Sequence, residues 1–295
     1  MRSAHRSFSL KIHNDCIACI ENQALRVCEL LHVNQTQHEA IVALAQKHIQ
    51  TFHFGLTPPH NATPLYEAMA EYLGVDDLYA DIKKASSQKA LSFQPLCEEA
   101  IAKSHHRLLA ATKTAVAGNV IDLASVMMYD LEEELAKIYH MPFAIDDFSS
   151  LESTLAHTKT LVYLADNAGE EIFDKLYIQT IRSLYPTIDI YYFVRGRPII
   201  NDLTCKDAYA SGMHDVATIV DSGVPTPGLA MEFMSKEART LFEKAECIIS
   251  KGMGNYECLG DVKNLPIFFL LKVKCNVVAN DIGAKLGDIV CKKGM

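Results

Sequence analysis

From residue 160 onward the chain alternates short, continuous apolar runs (TLVYLAD, IDIYYFV, VATIVD, CIISKG, IFFLLKV) with segments of helical periodicity such as EEIFDKLYIQTIRSLY and a stretch at about 229–245. Nothing else in the sequence restricts the fold as strongly. A strand that is apolar at every position is buried on both faces, the condition of a parallel sheet whose crossovers are helices. Strand and helix in alternation are the sequence form of βαβ units. The expected fold class is α/β: a three-layer α/β/α unit with a mainly parallel, Rossmann-like sheet over residues 151–295. DAYASG reads as a short helix in it, CNVVA as one more apolar run and DIVCKK as a closing strand.

Residues 1–150 have a different pattern. Ile17, Ile20, Ala24, Val27 and Leu31 recur at helical spacing, as do Ile41, Leu44, Ala45 and Ile49. PLYEAMAEYLG, PLCEEAIAKSHHRLLAATKTAVAGNV and MMYDLEEELAKIYH continue the pattern, with GLTPPHNATP as the clearest loop and DDFSSLESTLAHTKT as a polar boundary. The expectation is an N-terminal helical domain added to the α/β unit.

A chain of 295 residues buries roughly three quarters of its unfolded surface. With 28 Lys plus Arg against 36 Asp plus Glu the formal charge is −8, and no basic cluster carries interleaved aromatics, which argues against nucleic acid as a partner. The longest apolar run, LPIFFLL, is far short of the ~20 residues a membrane helix needs, and MRSAHRSFSLK lacks the apolar centre of a signal peptide. A soluble, cytoplasmic protein without membrane contact is expected, its oligomeric partners unknown. Nine cysteines, an odd number with no secretory segment, read as reduced thiols.

Parallel sheets bind ligands beyond the carboxyl ends of their strands. There the chain carries ADNAGEE, VRGRPIINDLT, VDSGVPTPG, SKGMGNYE and LKVKC. Asp166, Asn167 and Asp202 are hard oxygen donors, suited to a Mg²⁺- or Mn²⁺-like ion. Lys251 and Lys272 are cations on neighbouring tips, and Gly252 and Gly254 allow backbone N–H groups to approach an anion. Each residue also has a plainer reading: Asp166 as a helix N-cap, Lys251 as a solvated strand end, the glycines as turn residues. Only the convergence of tips favours a site.

In their order and spacing, DNAGE, VRGRPIINDLT, DSG, KGMGNYE and LKVKC resemble the metal-dependent damage-control phosphatases long known as domain of unknown function 89. CIACIENQ and AVAGNVIDLAS are similar to the CxxC-bearing branch of that family, so the resemblance covers most of the chain. It implies that Asp166, Asn167 and Asp202 hold one divalent cation (Mg, Mn, Co or Ni), that Lys251 to Asn255 wrap the substrate phosphate, and that Lys272 takes part. It implies pocket roles for Arg195, Asn201, Asn119 and Asp122. The implied activity is hydrolysis of small phosphorylated metabolites. Phosphoryl transfer needs positioning and charge neutralisation, for which the ion and Lys251 suffice, and Glu170 is a candidate base. Attack by water is preferred to an aspartyl-phosphate on Asp166, because a carboxylate that ligates an ion is a weakened nucleophile.

Cys16 and Cys19 form a C-x-x-C, and with Cys275 they invite a second metal site. No second C-x-x-C completes a zinc set, and thiols three apart on a helix also suit packing. The 12 histidines form no metal motif. Two other functions fit parts of the pattern: an S-adenosylmethionine-dependent methyltransferase, although the G-x-G-x-x-G fingerprint is missing, and a non-catalytic, metal-dependent sensor of phosphorylated metabolites.

Overall fold

The computed structural model describes residues 10–120 and 136–295. Among them seven strands form one sheet: β1 (Ile145–Asp146), β2 (Thr160–Leu164), β3 (Asp189–Val194), β4 (Thr218–Asp221), β5 (Cys247–Lys251), β6 (Ile267–Lys272) and β7 (Ile289–Lys293). Their order is β1-β7-β6-β5-β2-β3-β4, parallel throughout except for the antiparallel β6–β7 pair. The α/β/α class expected from the apolar runs is the one found. The chain winds outward from β2 to β3 and β4, then returns to the other side of β2 with β5. The strand order therefore reverses between β2 and β5, and the crevice there is where such sheets bind ligands.

The helices are α1 (Asn14–Leu30), α2 (Gln35–Ile49), α3 (Pro58–Leu73), α4 (Ala80–Lys103), α5 (Arg107–Val120), α6 (Phe148–Leu155), α7 (Glu170–Leu184), α8 (Cys205–Ala210), α9 (Lys236–Lys244), α10 (Gly252–Leu259) and α11 (Asn276–Ile282). Successive strand side chains point to opposite faces. Leu161, Tyr163, Tyr192, Ile249 and Phe268 pack with α4, α5 and α7 on one face; Val162, Leu164, Phe193, Ile248 and Phe269 pack with α9, α10 and α11 on the other. Each such fully buried large apolar side chain contributes roughly 1.5–3 kcal/mol. Helices α1 to α3 close on a core of their own, with Ile20, Ala24, Val27, Ile41, Ala45, Leu65 and Met69. No helix among the described residues is long and apolar enough to cross a membrane.

Some local expectations are corrected. CNVVA opens α11 instead of forming a strand: Cys275 is the N-cap, its Sγ accepting from the Val278 N–H at 3.4 Å. So short an apolar run carries no period of its own. GLTPPHNATP is a loop only at its start. Thr57 caps α3, and Pro58 and Pro59 occupy first-turn positions where a missing N–H costs nothing. The helix expected at about 229–245 shrinks to α9, because Ser235 caps it by accepting from the Ala238 N–H. The polar boundary segment contains α6. The long helical segment from 95 to 120 is broken at the extended Ser104. Most of MMYDLEEELAKIYH lies outside the described residues; residues 136–140 are helical.

Candidate active site at the strand tips

After β2 the chain remains paired for one more step, the Ala165 N–H donating to Phe193 O at 3.0 Å. It then meets the segment that follows β3. Asn167 and Asp202 form an antiparallel bridge, with the Leu203 N–H donating to Asp166 O and the Ala168 N–H to Asn201 O, each at 2.9 Å. Residues 166–168 and 201–203 thus lie side by side although β2 and β3 are parallel. A tight turn brings the second segment back, with Ile200 at φ 46°. A β-branched residue in the left-handed region is strained, and here the strain sits beside Asn201 and Asp202.

Asp166 is not a helix cap. α7 starts at Glu170 with Gly169 as N-cap at φ 96°, and the Glu170 N–H donates to Asn167 O at 3.1 Å. Asp166 instead packs against Gly252, where an added Cβ would lie 1.8 Å from Asp166 Oδ2 and φ is +75°. Only glycine fits there. Gly254 is constrained by space alone, since an added Cβ would lie 2.4 Å from Pro227 O.

Asp166, Asn167, Asn201, Asp202 and Gly254 line one cleft of about 660 Å³. Its walls include Cys16, Cys19, Gln23 and Arg26 from α1, Glu257 from α10, and Lys274, Cys275 and Asn276. Burial pushes the Asp166 carboxyl well above its ordinary range, reinforced by the charges of Glu170 and Asp202 and opposed by Arg195 and Lys274. Burial also raises Asp202, against the pull of Arg195. Carboxylates crowded together and away from water, with amide oxygens beside them, form an oxygen-only donor set whose unfavourable charge a hard dication relieves. The residues present therefore fit such an ion. Among the described residues no three His, Cys, Asp or Glu side chains gather as a metal-holding group, so an ion at this place would need the amide of Asn167 as well.

Several expected site residues are elsewhere. Lys251 is fully buried, its Nζ donating to Glu170 Oε2 at 3.0 Å and Asp174 Oδ1 at 2.7 Å. It stands behind Glu170, not on the cleft wall, because a lysine ending a strand buried on both faces has no route to water and takes the carboxylates of α7 as partners. Glu170, 3% exposed, accepts from Lys251 and from Asn167 Nδ2. Asn255 spends its amide on Ala165 O, Lys251 O, the Leu229 N–H and Arg195 Nη2, which ties together the tips of β2 and β5. Arg195 is 2% exposed; its Nε donates to Asp202 Oδ2 at 2.7 Å, and its Nη1 is buried without a hydrogen-bond partner. Lys272 is half-buried at the end of β6 and does not line this cleft, whereas Lys274 does. Asp122 and the side chain of Asn119 lie outside the described residues.

The cysteines of interest share the cleft wall as free thiols. Cys16 Sγ accepts from the His13 N–H in the capping box of α1, and Cys275 caps α11. Burial raises the pKa of Cys16, Cys19 and Cys275.

Residues 12–290 match the damage-control phosphatase ARMT1-like domain. The chain belongs to this family. Among its damage-control phosphatase relatives, one from Pyrococcus horikoshii is 30% identical over 286 residues, covering 96% of this chain and 98% of the relative. Another, from Archaeoglobus fulgidus, is 36% identical over 238 residues, covering 79% and 81%. The crystal structure of a family member from Pyrococcus horikoshii superposes with a TM-score of 0.90 at 29% identity, covering 97% of this chain and all of that one. The fold of this damage-control phosphatase family member is thus shared along nearly its whole length, and these relatives are named phosphatases, which supports a hydrolase role and lends nothing to a methyltransferase.

Proposed function

We propose that this protein hydrolyses small phosphorylated metabolites with one divalent cation held by Asp166, Asn167 and Asp202. The observation that carries the reading is the Asn167–Asp202 bridge, which brings two chain-distant segments together so that all three side chains border one cleft. When bound, a dication supplies charge neutralisation for the phosphoryl oxygens and lowers the pKa of water.

The chain's own residues do the rest. Lys274, on the cleft wall and close enough to Asp166 to affect its charge, is placed to pair with a phosphoryl oxygen, the task first expected of Lys251. Asp202 is oriented by the Arg195 Nε bond, and Asn255 in turn orients Arg195. Asp166 Oδ2 accepts from Asn167 and packs on Gly252, which disfavours it as an attacking atom and favours water. Glu170 has both carboxylate oxygens engaged and serves this reading better as an orienting group than as a base.

Phosphate release from p-nitrophenyl phosphate and a panel of phosphometabolites, measured with Mg²⁺, Mn²⁺, Co²⁺ and Ni²⁺, tests the proposal. Turnover should vanish with chelator and fall at least 100-fold in Asp202→Asn, an isosteric change that keeps an acceptor for Arg195. No release from any substrate with any of these ions would sink it; metal-dependent ligand binding without turnover would favour the sensor instead.

A further inference from the structure

Behind the cleft, on the far side of Glu170, lies a buried layer of charge that the reading above does not use. Asp174 follows Glu170 by one turn of α7, so both carboxylates project from the same face of the helix toward the tips of β2 and β5. Asp174, Tyr163, Tyr192 and Lys251 are all 0% exposed. Asp174 Oδ1 accepts from Tyr163 Oη at 2.6 Å and from Lys251 Nζ at 2.7 Å, and Oδ2 accepts from Tyr192 Oη at 2.9 Å. Lys251 then reaches Glu170 Oε2, and Glu170 Oε1 accepts from Asn167 Nδ2 at 2.9 Å.

The end of this chain decides an orientation. Asn167 Nδ2 has two hydrogens, and both are spent on carboxylates, Glu170 Oε1 and Asp166 Oδ2, each at 2.9 Å. Turning the amide over would set its carbonyl oxygen against two carboxylate oxygens. With the nitrogen held on the two carboxylates, the oxygen is the end left for an ion, which is the end an ion requires.

We infer that Asp174 is a positioning residue that fixes the ion-binding face of Asn167 through Lys251 and Glu170. The inference rests on Asn167 being a metal ligand, as proposed above. With the Asp174 charge gone, Lys251 keeps one carboxylate partner of two and is drawn wholly onto Glu170. The carboxylate that orients Asn167 then loses its counterweight. Partners behind a metal ligand typically change affinity by about 10- to 100-fold when altered.

The test is calorimetric titration of the full chain with Mn²⁺, without substrate, for the wild type, Asp174→Asn and the double variant Tyr163→Phe/Tyr192→Phe. Asp174→Asn should bind Mn²⁺ about 10- to 100-fold more weakly at unchanged stoichiometry. The double variant, which keeps the carboxylate and removes both phenol donors, should show a severalfold loss. Asp174→Asn that is folded and binds within threefold of the wild type overturns the inference. So does a fall in stoichiometry at unchanged affinity, which marks an unfolded fraction and a merely structural role. If Asp174→Asn fails to fold, the double variant decides, and unchanged affinity there overturns the inference. A wild type that binds no Mn²⁺ refutes the ligand set itself and is told apart from failure at Asp174 by that control.

Discussion

Replacing Glu171 with Gln should stabilise the protein by about 3 kcal/mol at pH 8 and by less than about 1 kcal/mol at pH 5. Glu171 is completely buried, its Oε1 accepting from Ser87 Oγ at 2.6 Å and its Oε2 from the Gly169 N–H. Burial, reinforced by Asp174, raises its pKa from 4.5 to about 7 despite those donors. Below pH 4.5 both folded and unfolded states hold the proton and nothing is lost. Between pH 4.5 and 7 the unfolded chain has released it while the folded chain retains it, so stability falls as pH rises, and above 7 the loss is complete. At 1.36 kcal/mol per pH unit, the interval from 4.5 to about 7 amounts to about 3 kcal/mol. Glutamine cannot ionise, yet its oxygen accepts from Gly169 and its NH₂ can donate to Ser87 Oγ, so the substitution removes the pH-dependent loss while keeping a hydrogen bond at each end. Urea and thermal denaturation of both proteins at pH 5 and pH 8, with chelator present, measure the difference directly. An increment in melting temperature of roughly 6 °C at pH 8 is expected, at ~2 °C per kcal/mol for a chain of this size. If the gain is the same at both pH values, or the variant is less stable at pH 8, Glu171 ionises at an ordinary pH and the reasoning fails.

Lys251→Met leaves Glu170 and Asp174 buried with no cation between them and should destabilise the fold by about 3–5 kcal/mol in urea denaturation; a change below about 1 kcal/mol would mean that the lysine normally serves the cleft. Glu257, on the cleft wall, has its carboxyl pushed up to about 8 by burial, so it enters the alkaline range neutral and becomes an anion beside the substrate as pH rises through 8. KM for a phosphate ester should rise there, and Glu257→Gln should flatten that rise; an identical KM profile in the two proteins would exclude the effect.

Some of the candidates could be picked out because they terminate a recognisable apolar run. TLVYLAD ends at Asp166 and CIISKG at Gly252, and in a parallel sheet both tips must face the same edge. The demand for glycine at 252 could be anticipated in kind, though its cause, contact with Asp166 Oδ2, belongs to the folded chain. The burial of Lys251 was not legible because a lysine beside two glycines looks exposed, and nothing local reveals that Asp174, 77 residues earlier, pairs with it. Within LKVKC, Lys272 and Lys274 have the same strand parity, so alternation could not choose between them. The N-caps Thr57 and Cys275 were missed for a related reason: a cap is recognised only with the helix it starts.

The sequence alone determined the class of the fold and the kind of atoms carried at its strand tips, since hydrophobic periodicity and donor chemistry are properties of short segments. Tertiary structure decided which donors meet. Asn167 and Asp202 come together through a strained return turn, and Asp174, Lys251 and Glu170 come together through the packing of α7 on the central strands. Partnership among buried charges depends on separations of a few ångströms between residues far apart in the chain, which no periodicity encodes.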